Sequence, residues 1–391
     1  MKSFLTALTF VTAALAASRT SAPSGCLTVK KSGGQYSTIQ KAVDALSTTD
    51  SAKQCIFIDQ GTYSEQVLVP ARTAQLTIYG YTADTSSYAG NKVTITAKKS
   101  QADGLDNDGS ATLRIKAKNF KLYNVNVANT YGKGSQAVAL SAYSDSAFYA
   151  SAFTGFRDTL LAQQGNQLYS KCLIQGATDF IFGQKAMAWF EKCDLRVVAA
   201  SLGYVTANGR ASSSDKSEYV FNSCSIAAAS GKTVADGAYY LGRPWGQYAQ
   251  VVFQKTSMTG VINSAGWKQW NDGDPRTANV LFGEYQNTGI GSPGHSRQLL
   301  QEVERCRHSR QHSGQQLHQR GLLRLRLHHG SLGIRDAACT DSSPRSLALF
   351  TDRNSKLKNE LLRVHCPKIP REKIELLFCP SWTAPASYGP W

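Results

Sequence analysis

Across residues 20–292, short runs of alternating apolar and polar positions are separated by clusters of Gly, Asn, Asp and Ser, the pattern of strands joined by turns. Several runs share one motif, an aromatic residue followed three places on by a small or polar one. The copies are KLYNVNVAN, AFYASAFTG, QLYSKCLIQ, AWFEKCDLR, YVFNSCSIA and VVFQKTSMT. Taking Tyr123, Tyr149, Tyr169, Phe190, Phe221 and Phe253 as anchors, the intervals are 26, 20, 21, 31 and 32 residues. A strand-rich unit recurring every 20–30 residues or so predicts a solenoid, and strands fit a parallel β-helix better than leucine-rich or helical repeats. Each unit is then one turn of the coil, and the longer units carry a loop at a corner. The segment GGQYSTIQKAVDAL differs, because Tyr36, Ile39, Ala42, Val43 and Leu46 have helical spacing and Ser37 or Thr38 stands ready as N-cap. It predicts a short helix closing the open end of the coil, where the terminal strand lacks a partner.

The two ends of the chain differ from this body. Residues 1–17 combine one Lys, a short apolar run and small residues near Ala14 to Ala17, which predicts a signal peptide and an exported, extracellular protein. No later stretch reaches the roughly 18 apolar residues of a membrane span. Near residue 293 the texture changes. All seven histidines lie beyond it, and RCRHSRQHSGQQLHQRGLLRLRLHHG has no period of 2 or 3.6. Residues 293–391 read either as a basic disordered appendage or, as we prefer, as a stretch translated out of frame, since codon degeneracy permits a shifted reading with a capped, helix-forming sequence. The body, residues 18–292, is expected to be the single folded domain.

The net charge of +16 divides evenly: 27 Lys and Arg against 19 Asp and Glu up to residue 292, and 16 against 8 after it. A mildly basic body suits a polyanionic partner, acidic polysaccharide as well as nucleic acid, and no nucleic-acid motif supports the latter. None of the nine cysteines forms a CxxC pair, which disfavours zinc and thioredoxin-like chemistry. Cys26 and Cys55 are candidates for a disulfide in an exported protein. Cys172, Cys193 and Cys224 each follow an anchor by three residues, and the simpler reading is a ladder of small interior side chains.

Without a histidine, the body has no Ser-His-Asp or Cys-His arrangement and no cluster of His metal ligands. Carboxylates remain. Asp158 in TGFRDTLLAQ and Asp179 in GATDFIFGQ are separated by one local coil length, the interval from Tyr169 to Phe190. Stacking therefore places them on one face of neighbouring turns. Adjacent strands lie about 4.8 Å apart, and two carboxylates that close do not both ionise freely. Arg243, in YYLGRPWGQY, is the candidate cation that holds Asp179 ionised as a nucleophile while Asp158 stays protonated as an acid. Trp245, two residues on, suits stacking against a sugar. The plain reading of either aspartate alone is a turn residue at a coil corner.

At these residues the sequence resembles the pectin methylesterase family, its fungal members above all, over residues 27–290. The matching elements are GTYSEQV, SQAVALSAYSD, GFRDTLLAQ, GATDFIFGQ, YVTANGR, LGRPWGQYAQVVF, SAGWKQW and FGEYQNTG, in that order along the chain. The resemblance implies a right-handed, single-stranded parallel β-helix of the pectin-lyase-like class, with a shallow cleft along one side. It implies that Asp179 attacks the methyl ester of a galacturonate unit, and that Asp158 protonates the leaving methanol and then activates water. It further implies that Gln136 stabilises the oxyanion, that Arg243 pairs with Asp179, and that Thr130, Gln136, Phe182, Arg243 and Trp245 line the substrate cleft. Neither metal nor cofactor is implied. The partner is methyl-esterified pectin, with no nucleic acid or membrane, and the expected state is a monomer. One position departs from the family: Arg157 stands where a second oxyanion-binding Gln is usual, and an Arg there both donates to an oxyanion and lowers the pKa of Asp158. The competing readings are a polygalacturonase or pectate lyase on the same coil, and a non-catalytic wall-binding β-helix.

Overall fold

Strand pairing in the computed structural model is parallel from the first strand, Leu27–Val29, to Leu300–Val303; a final short strand, Leu325–Arg326, pairs antiparallel to its neighbour. The structure describes residues 17–292 and the backbone of 300–303 and 325–326. The expected signal peptide, apart from Ala17, and the remainder of the expected tail lie outside the described residues.

The chain winds through three sheets in turn. The first runs from Leu27–Val29 through Ser146–Tyr149, Gln164–Ser170 and Lys185–Glu191 to Leu281–Tyr285 and the two later strands. The second contains Val67–Val69, Leu113–Ile115, Leu140–Ala142, Leu160–Ala162, Ile181–Gly183, Gly203–Asn208 and Tyr239–Gly242. The third runs from Gly61–Ser64 to Ser257–Met258. From Gln54–Ile58 to Tyr239–Gly242, each turn visits the first, third and second sheets in that order, which makes a parallel β-helix.

Alternate residues of every strand enter the coil. Phe148, Tyr169, Phe190, Phe221 and Phe253 stack along its axis with ring centroids 4.8, 4.6, 4.3 and 4.3 Å apart. This register corrects the anchor choice made from sequence. Phe148, not Tyr149, lies opposite Tyr169, while Tyr123 and Tyr149 pair on the outer face. Phe148 and Tyr149 are adjacent aromatics, and in a period-two strand neighbours face opposite ways, so a one-residue slip exchanges inside for outside. Counted from Phe148, the turn to Tyr169 and the turn from there to Phe190 are equal in length.

The corner between the first and third sheets repeats as well. Asn124, Ala150, Lys171, Lys192, Ser223, Lys255 and Gln286 all adopt left-handed backbone, with φ between 45° and 57°. The residue after each turns back towards the core, and on three successive turns it is Cys172, Cys193 or Cys224. These thiols are buried and donate to the carbonyls of Phe148, Tyr169 and Phe190 at 3.4 Å each. They form the interior ladder expected from their spacing. Cys26 and Cys55 are joined in a disulfide.

The terminal helix, α1, spans Ile39–Asp44. Thr38 is its N-cap and accepts from the Lys41 N–H at 3.3 Å. The Glu65 carboxylate accepts from the next free donors, Ile39 N–H at 2.9 Å and Gln40 N–H at 3.0 Å, which the first turn of any helix leaves without internal partners. Ile39, Ala42 and Val43 face inward over the end of the coil.

The inner and outer aromatic rows predict different costs of truncation. Phe190→Ala, at the centre of the inner stack, is expected to lose about 3–5 kcal/mol. Tyr149→Ala, on the half-buried outer row, is expected to lose less than half of that. Urea unfolding of the two variants measures the difference.

Candidate active site

Asp158 and Asp179 both lie two residues ahead of second-sheet strands, in front of Leu160 and Ile181. Those two residues pair in register, as do Arg157 and Thr178 just before the aspartates. The Asp158 N–H donates to the Thr178 carbonyl at 3.1 Å, so main-chain bonding ties the two positions together. Leu160 and Ile181 point into the core, and strict alternation would send the aspartates in as well. Left-handed backbone at Asp158 (φ 61°) and Asp179 (φ 50°) breaks the alternation and turns both side chains outward. They remain only 8% and 5% exposed.

Arg243 follows the strand Tyr239–Gly242 and reaches back to Asp179. Its Nε donates to Oδ1 at 2.9 Å and its Nη2 to Oδ2 at 2.6 Å, a two-pronged pair. The strand approaches its neighbour so closely that a Cβ on Gly242 would fall 2.1 Å from Thr206 Oγ1, which requires glycine ahead of the arginine. Burial opposes the Arg243 charge, but the bonds and charge of Asp179 outweigh it and raise the guanidinium pKa. The guanidinium lies over two aromatic rings, Tyr204 and Trp270, each with its ring centroid 4.3 Å from Cζ.

Asp158 has no such partner. Burial, and then the charge of Asp179, push its pKa up to about 8, against the opposing pull of Arg157 and Arg243. Arg157 Nε lies 3.7 Å from Asp158 Oδ1, too far for a hydrogen bond, and this buried Nε has no hydrogen-bond partner among the described residues. The two aspartates therefore have the same backbone setting and opposite electrostatic ones.

Beside them an apolar strip covers the outer face of the second sheet, formed by Ala111, Val138, Leu161, Phe182 and Ala207 with Tyr143, Trp245 and Trp270 packed against it. Phe182 and Trp245 meet at a 6.1 Å centroid distance. Gln136 is half-buried one turn before Asp158, where the next residue's N–H donates to the Arg157 carbonyl at 3.2 Å. Thr130 is exposed just past the third-sheet strand Asn126–Asn129, its hydroxyl donating to the Ala97 carbonyl. Among the described residues, no hydrogen bond or ion pair joins Thr130 or the Gln136 side chain to either aspartate. Nor does any group of three or more His, Cys, Asp or Glu side chains there converge as a metal site would.

Tyr204 and Trp270 were missed from sequence as members of the site. Tyr204 opens the motif YVTANGR. It follows Asp179 by the same interval that separates Ile181 from its strand partner Thr206, so Tyr204 occupies the next rung of the aspartate row. Trp270 ends SAGWKQW in a loop, and its place against Arg243 follows from the path of that loop, which no periodicity reports.

The family model for Pectinesterase matches residues 26–314. A pectinesterase of Aspergillus aculeatus is 53% identical over 308 residues, covering 78% of this chain and 93% of the relative. The crystal structure of the deglycosylated pectin methylesterase from Aspergillus niger superposes with a TM-score of 0.68 at 45% identity, covering 73% of this chain and 92% of that one. The pectin methylesterase from carrot does so at 0.66 and 31%, covering 73% and 90%. With its coil and these relatives, the chain belongs to the pectinesterase family and is a carboxylic ester hydrolase that demethylates pectin.

Proposed function

We propose that Asp179 is the nucleophile and Asp158 the acid and base of this esterase. The observation that carries the assignment is the pair's matched backbone and unmatched charge setting. Asp179 is clamped by Arg243, which favours the carboxylate. Asp158 is buried beside that carboxylate, which favours its protonated form. Asp179 attacks the carbonyl carbon of a methyl galacturonate unit, and the carbonyl oxygen takes up the electron pair. Gln136 and the Arg157 guanidinium stabilise that oxyanion. Collapse breaks the bond to the methoxy oxygen, which takes the proton of Asp158 and leaves as methanol. Asp158, now a carboxylate, removes a proton from a water that attacks the acyl-enzyme, and the galacturonate acid departs from a regenerated Asp179.

The apolar strip with Phe182 and Trp245 is the face we assign to the sugar rings, with Thr130 at its margin. Neither cofactor nor metal takes part in this sequence. The basic body supports a polyanionic substrate, and we take pectin as the sole partner of a monomer that binds neither nucleic acid nor membrane. The leader-like residues 1–17 support export, and the Cys26–Cys55 disulfide suits an oxidising compartment. For residues 293–391, the out-of-frame reading stays our proposal, and the nucleotide sequence near codons 290–295 tests it.

Asp179→Ala and Asp158→Ala are each expected to lower methanol release from methylated pectin at least about a thousandfold while leaving pectin binding intact. Retained methanol release by Asp179→Ala overturns the assignment. Solution viscosity, measured in parallel, should stay level for the parent, since the polymer keeps its length.

The sign of the pH effect follows from the raised pKa of Asp158. The folded state holds a proton up to about pH 8, whereas an unfolded Asp releases it near 4, so the parent loses native stability as pH rises across that interval. Asp158→Asn removes the titration. Its stability relative to the parent is expected to increase from pH 4 to pH 8 and then level off, as thermal melts across that range will show. Turnover by the parent should fall as pH rises through about 8, where the acid is lost.

Arg157 pulls the Asp158 pKa downward. Arg157→Gln is therefore expected to raise turnover and to move the basic limb of the pH profile upward. A variant no faster than the parent, with an unmoved limb, shows that Arg157 does not restrain the acid.

A further inference from the structure

We infer that Tyr204 and Trp270 are positioning residues for the reaction, an aromatic clamp that holds the Arg243 guanidinium edge-on to Asp179. The inference rests on the assignment of Asp179 as nucleophile and adds how its orientation is maintained.

A guanidinium bound through one edge to a carboxylate retains two freedoms. It tips about the axis of the paired bonds, and its open faces admit water that competes for its donors. Two aromatic rings restrict both here. The rings of Tyr204 and Trp270 each pack against the guanidinium, with their centroids 4.3 Å from Cζ. The remaining nitrogen, Nη1, lies 3.5 Å from the Trp270 main-chain oxygen, so the residue whose ring packs on the guanidinium also accepts from its far edge.

Neither ring is free to leave. Tyr204 is 6% exposed, sits in the strand Gly203–Asn208 and stacks on Tyr240 at 5.8 Å. Trp270 is pinned by its own loop: its N–H donates to the Pro275 carbonyl at 3.1 Å, and Arg276 stacks on the indole with Cζ 5.0 Å from the ring centroid. Arg276 is itself fixed by Asp274 at 2.6 Å and by a bond to the Trp245 main-chain oxygen. Cations and rings thus alternate along Tyr204, Arg243, Trp270 and Arg276. A cation packed against two partly desolvated rings is held more strongly than one in water. The structure gives Trp270 a duty other than sugar contact, since its ring is engaged by arginines.

Two kinetic signatures separate this role from substrate stacking. A positioning residue changes turnover and leaves affinity nearly alone, whereas a sugar-stacking residue chiefly raises KM. Tyr204→Leu and Trp270→Leu are each expected to lower kcat on methylated pectin about ten- to hundredfold with KM changed less than about threefold. Tyr204→Phe and Trp270→Phe keep a ring face and should recover kcat to within about threefold of the parent. Asp179→Ala is assayed alongside. If it retains activity, the nucleophile assignment and the clamp both fall. If Asp179→Ala is inactive but both Leu variants turn over at the parent rate, or lose only affinity, the clamp alone falls. Tyr204 belongs to a strand and Trp270 to a loop, so should one Leu variant not fold, as judged by its melting curve, the other decides the matter.

Discussion

Parallel hydrogen bonding between successive turns sets the separation of the two aspartates before any side chain contributes. The Asp158 N–H is bonded to the Thr178 carbonyl, and Leu160 and Leu161 lie opposite Ile181 and Phe182, so each rung repeats the last at the strand spacing of about 4.8 Å. The left-handed backbone at both aspartates is repeated with it. Two carboxyl groups, one per rung, then face the same side without any loop having to bring them together. Arg243 directly follows the strand that pairs with Gly203–Asn208, and its long side chain spans the rung between.

Geometry that equal leaves the chemistry to be divided by charge. Identical neighbouring carboxylates would share one proton with no preference between them. Arg243 removes the symmetry by engaging both oxygens of Asp179, and the resulting anion is one of the reasons the neighbouring Asp158 retains its proton up to about pH 8. One guanidinium therefore defines two roles: its own partner becomes the anion, and the next rung becomes the acid. Arg157 works against this division from the other side, although at 3.7 Å, beyond hydrogen-bond reach, it leaves the Asp158 pKa raised.

Much of this was legible in the chain because a solenoid converts sequence interval into spatial position. The interval between Asp158 and Asp179 equals the turn length from Tyr169 to Phe190, and that equality sufficed to bring the pair together on paper. The helix Ile39–Asp44, the Cys26–Cys55 link and the buried ladder of Cys172, Cys193 and Cys224 were also readable, from apolar spacing, proximity in the chain and position in the repeat. The anchor at Tyr149 was not, since two adjacent aromatics satisfy one motif and only pairing reveals which of them faces the core. Tyr204 was hidden by a change of interval: the turn after Asp179 is longer than the one before it, so a search at the shorter spacing passes it by. Trp270 lay beyond periodic reasoning altogether, because loops return by paths that local composition does not encode.

The site also explains why the turns that carry it are packed as they are. Left-handed backbone at a non-glycine residue costs on the order of 1–3 kcal/mol, and here it occurs on consecutive rungs, each holding a buried carboxyl group. Such strain persists only where the surroundings over-determine the conformation. On the same two turns, Phe148 and Tyr169 stack at 4.8 Å with their planes within 11°, Phe153 meets both edge-on, and the next ring, Phe190, lies 4.6 Å further along. Dense aromatic packing thus fills the turns that carry the aspartates. A face that is strained and electrostatically unfavourable in front is held in place by the stacking of rings behind it, and the catalytic pair and the core ladder are two sides of the same rungs.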